Sequence, residues 1–165
     1  CNEPNGDVTW EKDIKPYAKT IIKTIRKNDP NGVIIVGTPT WSQDVDVVAK
    51  SPIKKQNNIM YTLHFYAATH KEDLQNKFIA AYKAGLPIFV SEFSICDASG
   101  NGALDIESAN KWMKLIKEHN ISYCAWSLCN KQESSALLDP QCKKTGDFTK
   151  EDFSKAGKWL IEQLK

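Results

Sequence analysis

A chain of 165 residues, of which 41% are hydrophobic and 25% charged, has the length and composition of one globular domain. The 22 basic and 20 acidic residues give a net charge of +2, and the lysines are scattered along the chain, which argues against nucleic acid as a partner. No apolar run reaches the roughly 18 residues of a membrane span, so we expect no membrane partner either.

The first half of the chain predicts one helix and two strands. The helix covers Asp13–Lys27, because apolar residues recur there every three or four positions and form one stripe. The run "VIIVGT" from Val33 is short, apolar and rich in β-branched residues, and therefore predicts a buried strand. The loop "TPTWSQD" follows, and "IMYTLHFY" from Ile59 predicts the second strand.

The second half repeats the alternation of helix and strand. Residues 69–85 predict a helix, and "PIFVSEF" from Pro87 predicts the third strand. A further helix is expected over Glu107–His119 and a fourth strand from Ile121. A last apolar stripe predicts the C-terminal helix, with Phe153, Ala156, Leu160 and Leu164.

The predicted strands begin near residues 33, 59, 88 and 121, at intervals of 26, 29 and 33 residues. This regular rhythm indicates parallel strands joined by crossover helices, hence an α/β fold. Both an open doubly wound sheet and a closed (β/α)8 barrel have it. No glycine-rich nucleotide motif follows a strand, whereas polar and aromatic residues gather at the strand ends, as in barrel enzymes. The four units make half of such a barrel, as one domain over residues 1–165.

The five cysteines occur without a C-x-x-C pair, so a zinc site is not expected. If one disulfide forms, Cys129 and Cys142 are the favoured pair because they are close in sequence. Cys124 lies in the apolar run of the fourth strand, where a free cysteine is usually a small buried side chain.

Two carboxylates suggest chemistry. Glu92 lies at the tip of the strand that begins "PIFV", where a carboxylate is costly unless it is hydrogen-bonded or functional. In the alternative interpretation Glu92 has only a structural role, and amide groups of a loop hydrogen-bond its carboxylate. Glu3 lies in "NEP", which is also a fair turn sequence. If both residues end barrel strands, they could face each other as the two carboxyl groups of a glycoside hydrolase do.

Further polar and aromatic residues follow the strand ends. Aromatic side chains offer flat faces on which the apolar C–H faces of sugar rings can stack. Taken alone, each aromatic residue could simply pack in the fold. A histidine in an apolar strand could be a buried residue whose ring nitrogens are hydrogen-bonded, and charged loop residues could simply face solvent. Their shared place at or after strand ends favours a sugar-binding function. The candidates are Trp41, His64, Tyr66, Trp126, Lys131 and Glu133.

Five stretches, in this order, resemble glycoside hydrolase family 5 cellulases, in particular their bacterial endo-β-1,4-glucanase subfamily. They are "NEPNG", "VIIVGTPTWSQDVD", "IMYTLHFYAATH", "PIFVSEFS" and "YCAWSLCNKQESSALL", and they cover nearly the whole chain. The resemblance implies the C-terminal half of a (β/α)8 TIM barrel, with strands five to eight, their helices and the tip of strand four.

The resemblance also implies the reaction. Glu3 corresponds to the acid/base and Glu92 to the nucleophile of a double displacement with retention, which requires no metal and no organic cofactor. Tyr66 is implied to donate a hydrogen bond to the nucleophile.

The same resemblance implies the sugar contacts. Asn2 should contact the 2-hydroxyl of the bound sugar, and His64 should line the cleavage subsite. Trp41 should stack on the leaving-group side and Trp126 on the non-reducing side. The loop residues that should contact sugars on the non-reducing side are Lys131 and Glu133.

Of the first four barrel strands of such an enzyme, this sequence contains only the tip of strand four. We therefore expect a partner, either a separate N-terminal half-barrel or a second copy of the chain, and exposed apolar edges on strands five and eight. Alone, the chain should be inactive.

The expected substrate is cellulose, a related β-glucan or a cellooligosaccharide, with mannan, xylan or mixed-linkage glucan as alternatives. An inactive carbohydrate-binding or structural half-barrel is the alternative outside enzymes. Because a polymer cannot enter a cell, we expect the parent enzyme to be secreted.

Overall fold

The computed structural model describes residues 1–165 as an α/β fold. Four strands form one sheet in the order β1-β2-β3-β4, so that strands adjacent in sequence are adjacent in the sheet. β1 runs parallel to β2, with Ile34 opposite Ile59. The strands are β1 (Ile34–Val36), β2 (Ile59–Tyr66), β3 (Ile88–Ser94) and β4 (Tyr123–Ala125). The predicted alternation of parallel strands and helices is confirmed.

The helices follow the predicted stripes with two differences. A π-helix at Trp10–Ile14, capped by the Thr9 hydroxyl, leads directly into α1, so the first helical segment begins earlier than predicted. The predicted loop after β1 contains α2, and α3 follows it. No helix is both long enough and apolar enough to span a membrane. The helices are α1 (Lys15–Arg26), α2 (Pro39–Ser42), α3 (Val45–Lys50), α4 (Glu72–Lys83), α5 (Ile106–Glu118) and α6 (Lys155–Gln163).

The chain divides into two compact units, of which the first comprises Cys1–His64 and Glu72–Ser91. In its core Trp10 meets Tyr61 edge to face, with ring centroids 5.8 Å apart. The indole N–H of Trp10 donates to the carbonyl oxygen of Ser51 at 2.8 Å. Burial raises the pKa of the Tyr61 hydroxyl, which therefore stays neutral in this core.

The second unit comprises Phe65–Lys71 and Glu92–Lys165. Its core is an aromatic stack in which Phe65 lies 5.1 Å from Phe93 and 4.1 Å from Trp112, measured between ring centroids. The planes of Phe65 and Trp112 differ by only 11°. This stack joins the end of β2 to the end of β3 and to α5. It therefore fixes the backbone beside Phe65 and Phe93, from which the side chains of Tyr66 and Glu92 project.

The outer strands are shorter and more exposed than the inner ones. Ile35 of β1 is 40% exposed and the preceding Val33 is 62% exposed, whereas Leu63 of β2 and Val90 of β3 are fully buried. On β4 the side chain of Cys124 is exposed, so its predicted burial is wrong. β4 has a neighbouring strand on one side only, which explains the exposure. The expected apolar edges are therefore present.

All five cysteines are free, so Cys129 and Cys142 do not form a disulfide in this structure. The Cys129 thiol lies 3.2 Å from the Ser127 hydroxyl. The Cys142 thiol faces a carboxylate oxygen of Asp152 at 3.8 Å.

Candidate active site

The backbone on either side of Glu3 is held by hydrogen bonds. The Ser42 hydroxyl donates to the carbonyl oxygen of Asn2 at 2.8 Å. The Trp41 N–H donates to the carbonyl oxygen of Pro4 at 3.0 Å. The side chain of Glu3 is 31% exposed, and Asn2 is exposed. The carboxyl group of Glu3 thus stands on a fixed backbone and is still within reach of solvent.

Gly37, directly after β1, allows this segment to approach. A Cβ atom at Gly37 would lie 2.5 Å from the carbonyl oxygen of Cys1 and 3.0 Å from the ring of Pro4. Atoms cannot approach that closely, so a larger residue would push the segment that carries Glu3 away from β1.

His64 of β2 connects Glu3 to the sheet. Its ring is 2% exposed, its Nδ1 atom lies 2.8 Å from Oε1 of Glu3, and its Nε2 atom lies 2.8 Å from the hydroxyl of Ser91. The Ser91 hydroxyl in turn contacts the hydroxyl of Thr62. Both ring nitrogens of a buried histidine are therefore occupied, which fixes the orientation of the ring.

The Ser91 hydroxyl can donate or accept a hydrogen bond, so it can pair with either tautomer of a neutral imidazole. With Nδ1 protonated, His64 can donate to an ionised Glu3 and accept from Ser91. With Nε2 protonated, His64 can accept from a protonated Glu3 and donate to Ser91. The arrangement therefore suits a carboxyl group that changes its protonation state.

Glu92 of β3 lies in the second unit and is 8% exposed. The hydroxyl of Tyr66, the last residue of β2, donates to Oε1 of Glu92 at 2.8 Å. A buried carboxylate needs such donors, because it has lost contact with water. The structure thus brings together the carboxylate and the tyrosine that the resemblance implies as partners.

The backbone of Tyr66 is itself held by His70. The Tyr66 N–H donates to Nδ1 of His70 at 2.8 Å, and the indole of Trp112 donates to the carbonyl oxygen of His70 at 2.8 Å. Burial lowers the pKa of His70, and the negative charge of Asp97 opposes this shift. The neutral ring is the form that can accept from Tyr66, so the low pKa favours the observed hydrogen bond.

Trp126 follows β4 and is 45% exposed. Its N–H donates to the carbonyl oxygen of Phe93 at 2.8 Å, and its peptide bond to Ser127 is cis. Lys131 and Glu133 lie exposed in the loop that follows. The indole face of Trp126 and these two side chains are therefore accessible to a ligand.

Trp41 is the other exposed indole, at 50%, and it lies in α2 of the first unit. Three successive residues of this turn have left-handed backbone angles, with φ of 56° at Thr40, 53° at Trp41 and 61° at Ser42. The turn holds Trp41 at the surface by backbone contacts rather than by burying its ring.

The first unit thus holds Glu3 with His64, and the second holds Glu92 with Tyr66. Sequence reasoning missed Ser91, Thr62 and His70 as supporting residues. The only signal for Thr62 is that it shares one face of an otherwise apolar strand with His64 and Tyr66, at every second position. The sequence offers no comparable signal for Ser91 or His70.

A family model described as cellulase, glycosyl hydrolase family 5, matches residues 1–132. An endoglucanase from Clostridium saccharobutylicum is 49% identical over 164 residues, which are 99% of this chain and 36% of that protein. Endoglucanase A from Butyrivibrio fibrisolvens is 46% identical over 165 residues, covering 99% of this chain and 38% of that protein.

The solved catalytic domain of a Thermobifida fusca endoglucanase, in complex with cellotetraose, matches with a TM-score of 0.90 and 34% identity. The match covers 99% of this chain and 55% of that domain. The chain therefore spans little more than a third of its curated relatives and about half of a solved catalytic domain. Together with the four strands, this coverage confirms the predicted C-terminal half of a (β/α)8 barrel.

Proposed function

The chain belongs to the cellulase family, glycosyl hydrolase family 5, and we propose that it carries the acid/base and the nucleophile of a retaining endo-β-1,4-glucanase. The substrate is cellulose or a related β-glucan, cut at internal bonds. Two relatives that are called endoglucanases support this substrate class. The cellotetraose bound to the Thermobifida fusca domain supports cellooligosaccharides as ligands.

The observation that carries the proposal is the hydrogen bond of 2.8 Å from the Tyr66 hydroxyl to buried Glu92. A nucleophilic carboxylate must be ionised when it attacks, and burial opposes the charge. A hydroxyl donor stabilises that charge on the carboxylate and fixes the position of the group. We assign the nucleophile to Glu92 and its positioning to Tyr66 on this basis.

The acid/base is Glu3. An acid/base must be protonated in the first step of the reaction and ionised in the second. The pairing of His64 with Ser91 supports both states, because either tautomer of the imidazole finds a partner. The partial exposure of Glu3 leaves room for a leaving group or a water molecule to reach its carboxyl group.

The reaction is a double displacement. In the first step an oxygen of Glu92 forms a bond to the anomeric carbon, the glycosidic C–O bond breaks, and Glu3 gives its proton to the leaving oxygen. In the second step Glu3 removes a proton from water, the water oxygen attacks the anomeric carbon, and Glu92 leaves as a carboxylate. Retention requires carboxyl groups about 5 to 5.5 Å apart, and we expect this separation in the assembled enzyme.

The remaining residues bind the glucan chain. Asn2 contacts the 2-hydroxyl of the sugar at the cleavage point, which His64 also lines. Trp41 stacks on the leaving-group side, and Trp126 stacks on the non-reducing side. The exposure of these two residues, 50% for Trp41 and 45% for Trp126, supports both roles. The loop residues that contact sugars beside Trp126 are Lys131 and Glu133.

We also propose that the chain works with an N-terminal half-barrel of the same enzyme, and that the assembled enzyme is secreted. Coverage of about half of the solved domain and the exposed apolar residues of β1 support the partner. A polymeric substrate supports secretion. The 165-residue chain alone should not hydrolyse carboxymethyl-cellulose. Full activity of that chain without a partner would contradict this part of the proposal.

The proposed function is tested by Glu92→Gln in the enzyme that contains this chain. We expect kcat on carboxymethyl-cellulose to fall by about 10³-fold or more, because the amide is not a nucleophile. Binding of cellotetraose should change little. Glu107→Gln is the matched control, since Glu107 is exposed on α5 and pairs with Lys111. Turnover at the unmodified rate in Glu92→Gln would show that the assignment is wrong.

A further inference from the structure

The turn α2 adopts a backbone that its sequence does not favour. Thr40, Trp41 and Ser42 all have φ between 53° and 61°, although none of them is glycine. The left-handed region is unfavourable for residues with a Cβ atom, above all for a β-branched residue such as Thr40. Such a segment persists only where contacts with its surroundings hold it.

One set of contacts runs from this turn to the backbone around Glu3. The Ser42 hydroxyl donates to the carbonyl oxygen of Asn2 at 2.8 Å, and the Trp41 N–H donates to that of Pro4 at 3.0 Å. Ser42 is fully buried. Trp41 and Ser42 therefore bind the two residues that flank Glu3.

A second set of contacts holds the turn from the other side. The Thr40 hydroxyl donates to Oδ2 of Asp44 at 2.6 Å, and the Lys77 ammonium donates to Oδ1 of Asp44 at 2.6 Å. Asp44 stands at the N-cap of α3, yet its side chain makes no capping hydrogen bond there. Both carboxylate oxygens are instead engaged by α2 and α4. The side chain of Asp44 therefore does not cap α3 but links α2 to α4.

We propose that α2 is a positioning element that fixes Trp41 and Glu3 relative to each other, and that Asp44 is its positioning residue. The inference rests on the proposed function, in which Trp41 binds the leaving-group side and Glu3 protonates the leaving oxygen. The side chain of Asp44 hydrogen-bonds Thr40 and Lys77, and it makes no hydrogen bond with Glu3 or Trp41. It acts through Thr40 on the turn, and the turn acts on both functional side chains.

The inference predicts a dependence on the leaving group. When the leaving group is a sugar, Glu3 must protonate its oxygen and Trp41 must bind its ring. A displacement of about 1 Å in α2 can therefore lower the rate by up to about 10²-fold. A 2,4-dinitrophenolate leaves without protonation, and it has no sugar ring to stack on the indole of Trp41. The kcat/KM for 2,4-dinitrophenyl β-cellobioside, which reports the first displacement only, should therefore be insensitive to α2, although it still requires Glu92.

The experiment compares kcat/KM on cellotetraose with kcat/KM on 2,4-dinitrophenyl β-cellobioside in the enzyme that contains this chain. Asp44→Ala and Thr40→Val should lower the value for cellotetraose by about tenfold or more and change the value for the aryl glycoside by less than about twofold. Thr40→Val keeps the shape of the side chain and removes the hydroxyl, whereas Thr40→Ser keeps the hydroxyl and should retain activity. Asp73→Ala, at an exposed position on α4, is the matched control and should change neither value.

Equal losses on both substrates would overturn the inference, because they would indicate general damage to the fold. No loss on either substrate would overturn it as well. The proposed function has separate tests in the same assay. If the unmodified enzyme shows no hydrolysis that depends on Glu92, or if Trp41→Ala leaves cellotetraose hydrolysis unchanged, the proposed roles of those residues are wrong regardless of Asp44.

Discussion

The inner strands β2 and β3 differ from the outer strands β1 and β4 in length, burial and chemistry. β2 and β3 have eight and seven residues, of which six and five are buried. β1 and β4 have three residues each, and only Val36 among these six is fully buried. The inner strands carry His64, Tyr66 and Glu92. Of the two candidate catalytic groups, Glu92 thus stands where the chain provides a neighbouring strand on both sides, as do the residues that hydrogen-bond Glu92 and Glu3.

The difference shows what this chain can organise by itself. A buried polar residue needs partners in fixed positions, and neighbouring strands provide them. His64 finds Ser91 and Glu3 within the first unit, and Tyr66 finds Glu92 within the second. The outer strands present apolar side chains such as Ile35 to solvent, which is the behaviour of a sheet edge that lacks its neighbour.

Substitutions on an inner and on an outer strand should differ most in their cost to stability. Leu63→Ala on β2 should lower the free energy of unfolding by about 2–5 kcal/mol, because Leu63 is fully buried and a cavity remains. Ile35→Ala on β1 should cost less than about 1 kcal/mol in the 165-residue chain, since Ile35 is 40% exposed. Urea unfolding measures both. Equal costs would show that the inner and outer strands do not differ as described.

The same two variants, measured in the longer enzyme, test whether β1 gains a neighbour there. If an N-terminal half-barrel covers β1, Ile35→Ala should become more costly there than in the chain alone, while the cost of Leu63→Ala should stay similar. An unchanged, small cost for Ile35→Ala in the longer enzyme would contradict the proposed packing on β1.

The next effect concerns the chemistry of the inner strands. Tyr66→Phe should lower kcat by about 10- to 100-fold, because Glu92 loses a hydrogen bond worth about 1.5–3 kcal/mol to a charged group. KM for cellotetraose should change little. Tyr82→Phe on α4 is the matched control, since Tyr82 is 40% exposed and has no assigned role in the candidate site. Equal kcat in Tyr66→Phe and the unmodified enzyme would remove Tyr66 from the mechanism.

The smallest expected effect is the pH dependence that His70 contributes to stability. The folded state lowers the pKa of His70 below its ordinary value of 6.5, so the unfolded chain binds the proton more readily. Stability should therefore fall as pH drops through 6.5 towards the lower folded pKa, and it should be constant above that window. Urea unfolding at several pH values measures this.

His70→Asn keeps an acceptor for the Tyr66 N–H without a titrating ring and should flatten this part of the profile. His119→Asn, at the end of α5, is the control and should leave the contribution of His70 in place. A profile that His70→Asn does not change would show that this histidine does not titrate as described.

Much of the fold could be predicted from the sequence because its signals are local. The apolar stripe of α1 and the apolar runs of β2 and β3 carry the periods of a helix and of buried strands. The turn α2 could not be predicted, because Thr40, Trp41 and Ser42 have no preference for left-handed angles. Tertiary contacts impose them.

The candidate site was predictable to a similar degree. Glu92 and Tyr66 stand at the ends of strands that the sequence marks, and the structure joins them. The contacts of Ser91 and His70 depend on which strands and turns become neighbours, and a single serine or histidine in the sequence does not reveal that. The burial predicted for Cys124 was wrong for the same reason, because β4 has a neighbouring strand on one side only.

Trapping the covalent intermediate tests directly whether Glu92 is the nucleophile. The enzyme that contains this chain is incubated with 2,4-dinitrophenyl 2-deoxy-2-fluoro-β-cellobioside, digested with pepsin and analysed by tandem mass spectrometry. We expect a single fluorocellobiosyl label on Glu92, formed with loss of activity and absent in Glu92→Gln. A label on any other residue, or inactivation of Glu92→Gln at the unmodified rate, would contradict this assignment.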